Sequence, residues 1–501
     1  INDIQIPQGS IVLCCSVLFD YGIKELKEKL PQNCILFGIE FDDELRNFAI
    51  KNNKELSFLT KKELYDLPLI LNQENYIFEN GEVFKTAGLF RRIVRIDFSA
   101  GVDFNKELYV QLENSCTVSL KTFWTNRMTL TKFGRKYSHN LFSNLQNLCK
   151  TVPVQNYFKS VSKPIIIFGA GESINLVIKE TKDFIKNFYI ICVDTAVSSL
   201  TKNNIIPDAV FLEEAQSIIA DAFVGQKIND IHIFAGMSST PQISHNFDFN
   251  KISFFTTLYT NASFLKKLCS ENILPPTNNP LGSVGLTAVE YALKFRTNDK
   301  VPVYVCGLDF SYSVGITHAK GSMAHISRLI NTNRIISLQN YNAAFSDISE
   351  QFTDKTSNKM ITTPILKNYA KLFRYNFENI PNLFTLSESG IDLGLPFINT
   401  INLKKINFVF DKPVNSKLSF NSKKIEDFLF TEKKCLEELR DLLSGKIQIA
   451  ESERITKIKE LAEHREYLFL HFPDGYRFSQ DISFLKRIRT EIDFFLKLFK
   501  Y

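Results

Sequence analysis

From residue 164 onward the sequence repeats one pattern: a short, almost wholly apolar run, a turn, and then a helix-forming stretch. The runs lie in PIIIFGAGESI (164–174), NFYIICVDTA (187–196), IIPDAVFLEEA (205–215), DIHIFAG (230–236), KISFFTT (251–257), VPVYVCGLDF (301–310) and NLFTLSESG (382–390). Strands that are apolar on both faces belong to parallel sheets covered on both sides, and parallel neighbours need long, usually helical, crossovers. The spacing therefore predicts an α/β, doubly wound, Rossmann-like domain over 161–400. In such a sheet ligands gather at the carboxyl ends of the strands, where every polar motif considered below stands.

The flanking regions read differently. Residues 1–110 form a smaller α/β domain: strands at 10–19 and 34–40, helices at 23–30 and 42–52, with Glu40 placed to meet a ribose but no glycine fingerprint before it. Residues 111–160 are a helical connector packed on the next domain. Residues 401–501 form a helical domain with apolar stripes at Ile425, Phe428, Leu429, Leu436, Leu439 and Leu443, and at Ile482, Leu485, Ile488, Ile492, Phe495 and Phe499. Its helices break at 444–446 and 472–478.

Sixty basic against 54 acidic residues, interspersed throughout, do not call for nucleic acid as a partner. Nine scattered cysteines without a Cys-x-x-Cys pair speak against a disulfide framework and a zinc site. With no signal peptide and no membrane-length apolar run, the expected location is cytoplasmic. The absence of an initiator Met is read as a processed or truncated start.

Three loops carry chemistry. In FGAGES, Gly169 permits a sharp turn, Gly171 permits close backbone approach, and Ser173 opens a helix whose free amides suit a phosphate. The third glycine of a dinucleotide fingerprint is missing, and no P-loop Lys follows. Asp194 ends the second strand, where it can meet a ribose hydroxyl or cap its own turn. Glu213 and Glu214 end the third, but strand neighbours face opposite ways and make a poor metal pair. In NNPLGSVGL (278–286), Gly282 and Ser283 either present amides to a ligand or cap the next helix. The stretch VCGLDFSYSVGITHAKGS (305–322) sets Asp309, Tyr312 and His318 in one loop. Asp309 is a structural or ribose-side acid, Tyr312 a donor, and His318 a group whose proton affinity suits base catalysis.

Taken together, GSVGLTAVEYALKF with VPVYVCGLDFSY resembles the bacterial sialyltransferase pattern. FGAGES, PDAVFLEE, GLDFSY with THAKGS, and FWTNRMTLTKFGRKYSHNLFSNL (123–145) are similar to the motility accessory factor family of flagellin glycosyltransferases, also labelled 6-hydroxymethylpterin diphosphokinase-like. The resemblance covers roughly 120–390. It implies a sialyltransferase-like central domain that moves a nonulosonic acid (sialic, pseudaminic or legionaminic type) from CMP to Ser/Thr hydroxyls of flagellin, for flagellar assembly and motility. By the same resemblance Gly169, Gly171 and Ser173 line the nucleotide, and Gly282 and Ser283 complete its site. Tyr312 steadies the departing phosphate, His318 takes the acceptor proton, and neither cofactor nor metal is required. Two departures stand out. Glu172 replaces a Pro or other small residue, and Glu213 and Glu214 stand where Asp is commoner. The alternatives are an ATP-dependent pterin diphosphokinase-like enzyme and a non-catalytic, nucleotide-binding module that engages flagellin.

Overall fold

The computed structural model describes residues 5–71, 75–85, 90–225, 230–278, 280–335, 346–404, 417–475 and 477–499. They fall into two compact units: residues 1–135 with 439–492, and residues 136–438 with 493–501. These limits do not coincide with the expected boundaries at 110, 160 and 400. No helix among the described residues is long and apolar enough to cross a membrane.

In the first unit β1 (Ser10–Cys15) is flanked by β2 (Ile35–Ile39) on one side and, past the short hairpin of β3 (Asn75–Ile77) and β4 (Val83–Lys85), by β5 (Arg92–Asp97) on the other. The three-stranded sheet is parallel. β1 is buried along its whole length, which is why its sequence is uniformly apolar. β5, RIVRID, is an edge strand with charges along it, so its sequence does not announce a strand. Asp42 caps the helix Asp43–Asn52 by accepting from the amides of Glu44 and Leu45. Glu40 is buried, and its Oε1 accepts from the Tyr109 hydroxyl and the Asp42 amide, both at 3.1 Å. That oxygen is engaged within the domain interior.

The helix Lys106–Leu145 begins in this unit, burying Tyr109, Leu112, Cys116 and Leu120 in its core. Arg127 donates to the Phe472 carbonyl, and Arg135 pairs with Glu491 at 2.7 Å. Of the expected carboxyl-terminal stripe, Ile488 and Ile492 are buried, but Ile482 is exposed and Phe484 points inward in its stead.

The second unit is built on β6 (Ile165–Phe168), β7 (Tyr189–Val193), β8 (Ala209–Leu212), β9 (His232–Gly236), β10 (Ile252–Thr257), β11 (Thr277–Asn278), β12 (Val303–Cys306) and β15 (Leu383–Thr385). β13 (Glu350–Thr353) and β14 (Lys359–Thr362) make a separate antiparallel hairpin. The eight-stranded sheet runs β11-β10-β9-β8-β7-β6-β12-β15, and every pairing is parallel.

Alternate strand residues face opposite sides. Ile165 and Ile167 enter a core with the helices Val284–Phe295 and Pro364–Phe377. Each such fully buried aliphatic side chain contributes about 1.5–3 kcal/mol. The chain moves outward from β6 in one direction through β7 to β11, and β12 then returns to β6's other side. The switch point therefore lies between β6 and β12.

Candidate functional site

At the switch point two turns lock together. The Gly169 amide donates to the Cys306 carbonyl and the Gly171 amide to the Gly307 carbonyl, both at 2.8 Å. A Cβ on Gly169 would collide with the Gly307 carbonyl, so only glycine allows this approach. Gly307 itself has φ +72°, and Phe310 has φ +46°. This turn brings Asp309 back over the Gly169–Ser173 loop.

Asp309 Oδ2 accepts from the Ser173 amide at 2.9 Å, and Oδ1 accepts from the Ser173 hydroxyl at 2.5 Å. Ser387, just past β15, lies 2.8 Å from that hydroxyl, and the Gly307 amide donates to Ser173 Oγ at 3.1 Å. Asp309 is buried. Its carboxyl is pushed up to about 6, chiefly by loss of water, with the Ser173 bonds pulling the other way and Glu172 adding repulsion. The sequence reading gave the Ser173 amide and hydroxyl to a phosphate. In the structure the carboxylate of Asp309 holds that anion position at the amino end of the helix Ile174–Thr181. The glycines do permit close approach, but what approaches is another strand's turn.

The remaining predicted residues lie at neighbouring strand ends. Asp194 is buried after β7 and accepts from its neighbour Thr195, amide at 2.6 Å and hydroxyl at 2.8 Å. Burial pushes it up to about 6. Glu213 accepts from the hydroxyls of Thr257 and Thr287, the latter at 2.9 Å, and burial raises it too. Glu214 turns back to accept the Gln216 amide at 2.9 Å. Among the described residues no three His, Cys, Asp or Glu side chains converge as a metal site would require. Ser283 caps the helix Val284–Phe295 through the Gly285 amide, and Gly282, at φ +77°, lies against Tyr369.

Tyr312 is buried against Ile361 of β14 and Leu366, with its backbone paired to Ile361. His318 is half-buried, with Nδ1 3.0 Å from the Thr317 hydroxyl. Burial first, and Arg328 second, hold its proton affinity below the usual histidine range.

Beside the Ser173–Asp309 pair a cleft of about 820 Å³ opens, bounded by Glu172, Ser173, Lys320, Lys359, Ser387 and Phe397 among others. Of Gly169, Gly171, Ser173, Asp194, Gly282, Ser283, Asp309, Tyr312 and His318, Ser173 alone lines it. The cleft's far wall comes from the irregular chain after β15 and from the β13–β14 hairpin, which carry no recognisable motif.

Sequence reasoning also missed two asparagines. Asn140 donates through Nδ2 to the Ala215 and Ser238 carbonyls, and Asn144 to those of Met237 and Ser239, all at 2.9–3.0 Å. Four residues apart, they share one helix face and tie down the loops after β8 and β9. Their i, i+4 spacing within SHNLFSN was the available signal.

The sequence pattern of the 6-hydroxymethylpterin diphosphokinase MptE-like family matches residues 139–315, from the helix bearing Asn140 to the loop bearing Asp309. An uncharacterized protein of Treponema pallidum (strain Nichols) is 30% identical over 528 aligned residues, covering 99% of this chain and 88% of that protein. Among solved structures, the Maf glycosyltransferase from Magnetospirillum magneticum AMB-1 superposes with a TM-score of 0.56 at 11% identity, over 98% of this chain and 78% of that one. The fold is thus shared along nearly the entire chain, and the matched pattern coincides with the interlocked strand ends at the switch point. The chain belongs to one family with the Treponema pallidum protein, carries the MptE-like pattern over residues 139–315, and shares the fold of a Maf glycosyltransferase.

Proposed function

We propose that the protein is a glycosyltransferase that moves a nonulosonic acid from a CMP-activated donor to Ser/Thr hydroxyls of flagellin. The observation that carries this reading is a strand order that reverses between β6 and β12, in a fold shared with a Maf glycosyltransferase over 98% of the chain. The nucleotide lies across the strand ends, with Asp194 toward the ribose and the Gly282–Ser283 loop toward the phosphate. Gly169, Gly171, Ser173 and Asp309 form the rigid floor beneath it.

Departure of CMP leaves negative charge on phosphate, so fixed N–H and O–H donors lower the barrier. Tyr312 and backbone amides take that role in this reading, which draws on no metal. His318, whose proton affinity is lowered by burial and by Arg328, is the base that the family resemblance implies.

A second reading follows the matched family's description: an ATP-dependent diphosphokinase acting on a hydroxymethylpterin. That chemistry needs Mg²⁺ held near a triphosphate. Thermal shift separates the two. CMP without metal should raise Tm under the first, because a ligand bound only by the folded state adds RT ln(1 + [L]/Kd). Stabilisation by ATP with Mg²⁺ and none by CMP would reject it.

A further inference from the structure

We propose that the cleft beside the Ser173–Asp309 pair receives the acceptor hydroxyl, and that Glu172, in place of His318, takes its proton. The inference rests on the transferase reading above.

Three observations carry it. First, Glu172 lines the cleft, and its Oε2 is shielded from solvent with no hydrogen-bond partner among the described residues. A buried carboxylate oxygen left without a donor is costly, and a bound hydroxyl is the donor that would satisfy it. Second, Glu172 is fixed in place. The next residue, Ser173, is bonded through both its amide and its hydroxyl to Asp309, so the loop cannot swing away.

Third, the cleft suits a hydroxyl-bearing ligand better than a polyphosphate. Glu172, Glu180 and Glu388 line it together with Lys320 and Lys359. Glu180 is already engaged by the Thr400 hydroxyl. Polar and charged side chains mix with apolar ones such as Leu176, Met360 and Phe397 along its walls. His318 is not among the residues bounding the cleft, and its Nδ1 is turned to Thr317.

The step balances. The acceptor oxygen bonds to the anomeric carbon while the carbon–phosphate oxygen bond breaks. The electron pair leaves with CMP, and the acceptor proton passes to Glu172.

The test uses the full-length protein with flagellin and, in turn, CMP-N-acetylneuraminic, CMP-pseudaminic and CMP-legionaminic acids. Glu172→Gln keeps the shape and removes the base. Transfer to flagellin should fall by about 10²- to 10⁴-fold. The CMP-induced Tm shift should be retained. Glu172→Ala should be equally slow and should regain activity with added formate, a readout that a structural role would not give. Transfer by Glu172→Gln within about threefold of wild type, with donor consumption intact, would overturn the role of Glu172 alone. If the wild-type protein consumes none of the three donors, the transferase reading falls and this inference with it.

Discussion

Ser173 gives both its amide and its hydroxyl to the carboxylate of Asp309, a residue 136 positions further along the chain. This pair joins the ends of β6 and β12 at the point where the strand order reverses. It makes the loop a fixed platform instead of an open phosphate cradle.

Removing the carboxylate should therefore cost stability as well as order. Asp309→Ala leaves the Ser173 amide and hydroxyl without their partner at a buried site. Bonds to a charged group are worth about 1.5–3 kcal/mol each, with partial compensation. Urea denaturation should show a loss of about 2–4 kcal/mol. A loss under about 0.5 kcal/mol, the level of an ordinary surface change, would mean the pair does not hold the platform.

The same carboxylate sets a pH dependence. Its proton affinity in the folded protein lies above the unfolded value of 3.8, at about 6. The folded state thus holds the proton longer, so this group's contribution is fully present below pH 3.8 and is lost as pH rises toward 6. The stability of wild type relative to Asp309→Asn should decline by about 2–3 kcal/mol across that window and level off above it. Paired urea titrations at several pH values measure the difference, and a flat difference would contradict it.

Gly169→Ala should destabilise more than a substitution that only strains the backbone. Gly81 has φ +85° with open space around it, so Gly81→Ala costs about 1–2 kcal/mol through the backbone conformation alone. At Gly169 the new methyl meets the backbone of Gly307, which cannot move aside without disturbing β12. Comparing the two Tm values checks the ranking.

On β9, inside the sheet, His232 Nδ1 lies 2.9 Å from the Tyr157 hydroxyl and Nε2 lies 2.9 Å from Ser253 Oγ. Burial, with Lys251 adding to it, pushes this histidine down to about 3. Its contribution to stability is complete above the ordinary value of 6.5 and is lost as pH falls toward 3. The ring resonances of His232 should not titrate by NMR between pH 5 and 8. A midpoint inside that range would refute a neutral, doubly bonded imidazole.

Much of the sheet was readable because buried parallel strands are continuous apolar runs. β6 to β10, β12 and β15 all stand where those runs predict them. β5 escaped because an edge strand need not be apolar, and β11 is only two residues long. At the site, the sequence marked Gly169, Ser173 and Asp309 as special but could not pair residues so far apart. It offered their amides to a phosphate because the internal carboxylate that occupies them is a tertiary fact. Glu172 looked like a misfit beside a phosphate, and its place in the cleft depends on walls contributed by residues 358–400. Ser283 and Asp194 each had a local capping alternative, and in the structure both make those local bonds.

The central claim is the transferase activity, and its most direct measurement is the intact mass of flagellin after incubation with the purified protein and a CMP-nonulosonate. The account predicts mass increments of one nonulosonic acid each, with release of an equal amount of CMP. Unchanged flagellin mass with all three donors, under conditions where ATP and Mg²⁺ drive diphosphate transfer to a hydroxymethylpterin, would contradict it.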